Sequence, residues 1–251
     1  MGMLTSASDC SRGWLSAVWH LLQCGGDCFN LITEIENPTV EHAGIRQLVD
    51  GFLEAMGKKS IDEVANTIFP ESLYFPTIGR DSLYQNYEIA WPLIGLFPAN
   101  KSGTYFYRMI HWGNPETPMN QLESTIYKLK EAQTWRKAYR SRYEVSIYQP
   151  ETDGRNLMAF PCLSHLSFKL YSGRLHLTAV YRNQFYIERA YGNFIGLGRL
   201  MEFVARESEI MIGPLTCIAT HAELDCTRKA VSSLVDSCFG IPEIRLDQTI
   251  T

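Results

Sequence analysis

Two β-type segments, near Ser164 to Tyr171 and Leu175 to Tyr181, are joined at Ser172-Gly173. That short join constrains the chain more than any other feature. A Ser-Gly step marks a turn, so the two strands are neighbours. Strong helical periodicity follows at once, through Phe194, Leu197, Leu200, Met201 and Val204. Adjacent strands in a chain that also carries amphipathic helices point to an α+β or mixed α/β class.

The rest of the chain reads consistently with that class. Trp14, Leu15, Val18, Trp19 and Leu22 predict a helix over Gly13 to Gln23, ended by Gly25-Gly26. Leu31 to Glu36 reads as a strand closed by Asn37-Pro38, and Glu41 to Met56 and Ile61 to Ile68 as helices. Tyr87 to Leu96 is helix-like, with a boundary or kink expected at Pro92. Gln121 to Lys137 is helical by pattern, Glu144 to Tyr148 a strand, Glu151 to Arg155 a turn and Leu215 to Thr220 a further strand. The length of 251 residues suits one domain over 1–251, with divergent segments at 1–30 and 226–251.

Formal net charge is -4, which removes any bulk attraction to nucleic acid polymers or anionic membranes but leaves room for a local basic pocket. No apolar run approaches the roughly 20 residues of a membrane span. No signal peptide is read, so a cytoplasmic location is expected. The seven cysteines are odd in number, which argues against a disulfide framework. The spacing of Cys24 and Cys28 does not suit zinc, and no metal is expected.

Cys162 follows Phe160-Pro161 and opens a strand, with Arg182 one strand away. A cysteine attacks only as thiolate, so it needs a nearby positive charge or a base. The plain alternative is a small buried hydrophobe.

Phe160-Pro161-Cys162, the strand pair, Tyr181-Arg182-Asn183, Asn193 leading a helix and Gly213-Pro214-Leu215-Thr216 together resemble the thymidylate synthase family. The separations from cysteine to arginine to asparagine are the family's own. Glu36-Asn37-Pro38 resembles the strand end of divergent members, and Glu88-Ile89-Ala90-Trp91 the family's Glu-x-x-Trp helix. Tyr105-Phe106-Tyr107-Arg108 resembles its Tyr-Gly-Tyr-Arg segment, and Gln121-Leu122-Glu123 and the strand from Arg142 to Pro150 match as well. The likeness runs from about Leu31 to Asp225 and implies a thymidylate-synthase-type fold, a large mixed sheet flanked by helices.

The resemblance implies a one-carbon transfer to C5 of a pyrimidine nucleotide or nucleoside, giving a methylated or hydroxymethylated product. Cys162 matches the residue that adds to C6, and Glu88 the carboxylate that moves protons at the ring. Arg182 matches a phosphate ligand beside the cysteine. Arg142 matches an arginine donated across a homodimer interface, with Arg136 and Arg140 as alternatives. Asn193 matches the amide that pairs with N3–H and O4 of uracil, its alternative being a helix N-cap. Tyr105 and Asn183 fall with the substrate-binding set, and Trp91 with the cofactor-binding set, the cofactor being 5,10-methylenetetrahydrofolate.

Departures from the family pattern carry expectations of their own. The sugar-binding His-x-Tyr falls on Glu223 and Asp225, whose carboxylates suit two ribose hydroxyls; a small shift brings in His221 instead. The pterin-binding aspartate falls on Phe185. The N-terminal phosphate-loop arginine has only Arg12 as a weak substitute, and the closing tail is not recognisable in 245–251. These departures point to an altered substrate or outcome, such as modified-nucleoside synthesis. A transferase or lyase for another small molecule, and a non-catalytic homologue, are the alternatives.

Overall fold

The computed structural model describes residues 3–134, 141–155 and 160–245. A seven-stranded mixed sheet forms its centre, in the order β1-β2-β7-β5-β4-β3, with short β6 paired to β7. In chain order the strands are β1 (Met3–Asp9), β2 (Asp27–Asn37), β3 (Glu144–Ser146), β4 (Leu163–Tyr171), β5 (Arg174–Tyr181), β6 (Gln184–Phe185) and β7 (Met211–Glu223). β1/β2 and β5/β7 are parallel, whereas β2/β7, β4/β5 and β3/β4 are antiparallel. These two parallel pairs, and the short parallel pair of β6 with β7, need crossovers. These are supplied by helices α1 (Cys10–Gln23) and α8 (Ala190–Ser208). This is the α+β, thymidylate-synthase-type arrangement expected from the sequence.

The strands alternate cleanly. Leu31, Thr33, Ile35, Leu177, Ala179, Tyr181, Leu215, Cys217 and Ala219 are buried under helices. Their neighbours Ile32, Val180 and Ile218 point the other way and are only half-buried. No helix among the described residues is long and apolar enough to cross a membrane.

Helix α1 starts three residues earlier than its apolar pattern suggests. Asp9 caps it by accepting from the Arg12 backbone N–H at 2.9 Å, which satisfies one of the donors left open at a helix start. Trp19, expected on the buried face, is 40% exposed and meets the Phe239 ring edge-on. Helices α2 (Ala43–Ala55) and α3 (Ile61–Ile68) follow; in α3, Ser60 and Glu63 form a reciprocal capping box.

Helix α4 (Arg80–Ile94) begins seven residues before the stretch read from sequence, and it runs through Pro92. Pro92 lies in the last turn, where its missing N–H costs one backbone bond and Gly95 closes the helix. Short α5 (Tyr105–Ile110) and long α6 (Gln121–Thr134) come next. The predicted end of α6 at Lys137, together with Arg136 and Arg140, lies outside the described residues.

The expected turn after Gln149 is a single helical turn, α7 (Pro150–Asp153). Its Asp153 is 1% exposed and bonds Arg108 through both oxygens, at 2.6 and 2.8 Å. Helices α9 (Arg228–Phe239) and α10 (Pro242–Arg245) close the described chain.

Helix α8 carries much of what positions the site, and glycines let it approach its neighbours. A Cβ on Gly192 would lie 2.6 Å from the Val64 Cβ on α3, and one on Gly198 only 1.9 Å from the Pro38 carbonyl oxygen. Because the second obstacle is backbone, Gly198→Ala is expected to destabilise the fold by about 3 kcal/mol. Urea unfolding would show a lower midpoint at an unchanged slope; an unchanged midpoint would mean that the turn at Pro38 yields freely.

Candidate active site

The hairpin of β4 and β5 sets the centre of the site. Phe160-Pro161-Cys162 leads into β4, and the Arg182 backbone N–H, just past the end of β5, donates to the Cys162 carbonyl at 2.9 Å. The Arg182 side chain turns back over the same lead-in. Its Nε donates to Pro161 O at 3.0 Å, its Nη2 to Phe160 O at 2.9 Å, and its guanidinium carbon lies 3.7 Å from the Phe160 ring centroid. Arg182 therefore fixes the backbone that presents the thiol.

Cys162 lines a cavity of about 620 Å3, large enough for a nucleotide-sized molecule. Tyr105, Asn183, Phe185 and Asn193 line the same cavity. The opposite wall is the loop from Pro98 to Thr104. Gly103 in the left-handed region (φ 84) turns that loop back toward α5. Arg108 anchors it through a bond from Nε to the Ser102 carbonyl at 2.7 Å.

Asn193 is 3% exposed and sits inside the first turn of α8. The N-cap position belongs to Arg189, so the capping alternative for Asn193 does not hold. Its side-chain amide has no hydrogen-bond partner among the described residues. It is a buried amide bordering a cavity, with a donor and an acceptor still to satisfy.

Asn183 is held from behind. Its Nδ2 donates to Glu223 Oε1 at 3.1 Å, and its Oδ1 accepts from His221 Nδ1 at 2.5 Å. His221 in turn packs against Phe29, ring centroids 5.2 Å apart, with Nε2 3.8 Å from Asp27 Oδ2. Glu223 and His221 thus orient an amide of the wall. Asp225 is committed elsewhere, accepting from the Ile187 and Glu188 backbone N–H groups at 2.9 and 3.0 Å. That use corrects the expectation that Asp225 meets a ribose: it holds the loop between β6 and α8. Trp14 secures the same loop through a 2.7 Å bond to Tyr186 O.

Several expected residues are not brought to the cavity. Glu88 is 51% exposed in its side chain and pairs with His111 at 2.7 Å. Trp91 stacks on Tyr107, centroids 3.9 Å apart, and supports α5 rather than the wall. Arg142 lies just before β3, 3.5 Å from Glu131. No group of three His, Cys, Asp or Glu among the described residues is placed to hold a metal ion.

Electrostatics at the thiol run against easy ionisation. Burial pushes the Cys162 thiol above its ordinary value, the charges of Arg182 and Arg189 pull it back in part, and Glu223 adds to the rise. Burial likewise raises the Tyr105 phenol to about 12, with the nearby Cys162 adding to it. Arg189 was missed in the sequence. A cation at a helix start reads as surface, and its position four residues before Asn193, on the same helical face, is the one signal that pointed to it.

A folate does not fit the described wall in the way the family resemblance implies. The cavity residues include no aspartate or glutamate to take the paired donors of a pterin edge. Phe185 stands at the expected carboxylate position, and Trp91 is engaged with Tyr107.

No family model matches the chain. It is similar to a curated protein of Methanosarcina acetivorans named "Putative thymidylate synthase", 30% identical over 121 residues that cover 48% of this chain and 52% of that protein. Proteins of the same name from Methanosarcina mazei and Methanococcoides burtonii are 28% and 26% identical over the same shares. The chain spans about half the length of the curated relatives it matches.

Proposed function

Taking as premise that this chain is a divergent member of a thymidylate-synthase-like family, we propose that it activates C5 of a pyrimidine nucleotide or nucleoside through the Cys162 thiolate. One observation carries the reading: a half-buried thiol and an unpartnered buried amide, Cys162 and Asn193, border one cavity of nucleotide size.

In the proposed reaction the Cys162 sulfur bonds to C6. The electron pair of the C5–C6 double bond then moves through C5 and C4 onto O4, giving an enolate. C5 is now nucleophilic. It takes a proton from water or attacks a one-carbon electrophile. Loss of a proton from C5 and expulsion of the sulfur restore the ring and the thiolate. Asn193 pairs with N3–H and O4, where the charge develops, and Asn183, oriented by His221 and Glu223, binds a second polar edge. Tyr105, at the same wall, holds its proton at neutral pH and serves as a hydrogen-bond donor.

The product is a methylated or hydroxymethylated pyrimidine, and the donor is a separate small molecule. Because the wall does not suit 5,10-methylenetetrahydrofolate, the proposal rests on the thiol addition alone. It is tested by release of tritium into water from C5-tritiated uracil and cytosine nucleosides and nucleotides. At least one of them should exchange; exchange from none would remove the reading.

A homodimer is part of the proposal. Leu4, Ile32, Ile218 and Val180 are paired across β1, β2, β7 and β5 and form an apolar row on the sheet face that no helix among the described residues covers. Such a row is costly in water and suits a second sheet packed against it. Ile218→Arg is expected to convert a sedimenting dimer to monomer. A wild-type chain that sediments as monomer at the same concentration would rule the dimer out.

A further inference from the structure

The cavity carries more positive charge than the reading above uses. Lys59, Lys101 and Arg189 line it, and among the described residues no aspartate or glutamate does. Lys58 and Glu188, their immediate sequence neighbours, form an ion pair that ties the segment before α3 to the loop before α8. One member of each adjacent pair is thereby neutralised, and the other two, Lys59 and Arg189, are both presented to the cavity.

Arg189 is half-buried, and its guanidinium has neither an ion pair nor a side-chain hydrogen bond among the described residues. It shares the cavity with Cys162 and Tyr105, and its charge offsets part of the rise that burial imposes on both groups. Gln184, at the same cavity, is 2% exposed, and both its amide atoms are buried without a partner among the described residues. A half-buried guanidinium without a counter-ion is costly unless a ligand supplies the charge. Arg182, by contrast, is outside the cavity lining and gives Nε and Nη2 to the Pro161 and Phe160 carbonyls.

We propose that Arg189, supported by Lys59 and Lys101, is the anion-binding group of this cavity, receiving a phosphate or carboxylate of the ligand beside the Cys162 thiol. A planar fork of N–H donors matches either group through paired bonds. The assignment moves ligand-anion recognition from Arg182, which holds the thiol's backbone, to the start of α8. It rests on the Cys162 cavity being the ligand site, but not on the ligand being a pyrimidine.

The test reads the thiol rather than turnover. Iodoacetate and iodoacetamide both alkylate a thiolate with loss of iodide, and they differ in one negative charge. The ratio of their rates at Cys162, followed by mass spectrometry of its peptide, therefore cancels the thiolate fraction and reports the local anion site. Arg189→Gln is expected to lower that ratio about fivefold and Arg189→Lys to lower it less, whereas Arg182→Lys, which keeps the charge beside the thiol, should leave it within roughly twofold. In the wild-type protein, inorganic phosphate or glutarate should abolish the preference for iodoacetate, and whichever acts at the lower concentration identifies the group. A drop confined to Arg182→Lys, or a ratio unmoved by Arg189→Gln, would overturn the proposal. So would a wild-type ratio indifferent to both anions, an arm that stands even if the variants fail to fold. Absence of tritium exchange with an intact Arg189 effect would sink the pyrimidine reading alone.

Discussion

Cys162→Ala is expected to abolish tritium exchange from the C5 position of the substrate, with a loss on the order of a thousandfold or more. Cys162→Ser is expected to fall nearly as far, because an alkoxide is far harder to form in a half-buried site than a thiolate. The pH dependence has a definite sign. Burial outweighs the arginines and raises the thiol above its ordinary value, so the reactive form is scarce at neutral pH in the free protein. Exchange in kcat/KM should therefore climb with pH past about 8.5, the ordinary thiol value, rather than level off near neutrality. A plateau at pH 7 would show that the thiol is already ionised and that the cavity charges outweigh burial. Retention of exchange by Cys162→Ala would transfer the chemistry to another group.

The second large effect belongs to stability. Arg108 and Asp153 are 6% and 1% exposed and meet through two bonds. Arg108 also donates to the Ile147 and Ser102 carbonyls, and Asp153 accepts from the Gln149 N–H. Removing one partner leaves a buried charge uncompensated, so Arg108→Ala or Asp153→Ala is expected to cost about 3–5 kcal/mol in urea unfolding. Burial by itself would raise the Asp153 carboxyl, but the Arg108 bonds, the Gln149 N–H and the Arg108 charge hold it below its ordinary value. A depressed carboxylate stabilises fully above its unfolded value, about 3.9, and loses that contribution as pH falls through the folded value. Asp153→Asn should therefore flatten the acid limb of the stability curve. An unaltered acid limb would show that other carboxylates dominate it.

The residues legible in the sequence were those fixed by local pattern or by spacing along one hairpin and one helix. Cys162, Asn183 and Asn193 share a wall because β4, β5, β6 and α8 follow one another, and short connections leave little freedom in where they meet. Helix α3 was predictable to the residue, since Ser60 and Glu63 supply a capping box around an apolar face. β1 was not. Thr5, Ser6, Ala7 and Ser8 show no alternation of large apolar groups, and the strand exists through its parallel pairing with β2. Nor does motif order say which way a side chain faces. Glu88 falls on the outer side of α4, toward His111, and Asp225 is consumed by two backbone donors. Arg189 carries only its spacing to Asn193 as a sequence signal, because an arginine's solvation depends on what long-range folding places around it, here the cavity it shares with Cys162 and Tyr105.

β7 is the last strand in the described chain, yet it stands between β2 and β5. During synthesis, β1-β2 and β3-β4-β5 therefore wait as two half-sheets, each with a bare hydrogen-bonding edge, until residues 211–223 emerge and zip them together. A nascent chain halted before this keystone is exposed to edge-to-edge association. Premature termination ahead of Met211 should yield insoluble polypeptide rather than a weakened protein, and chaperone capture should be strongest over that interval.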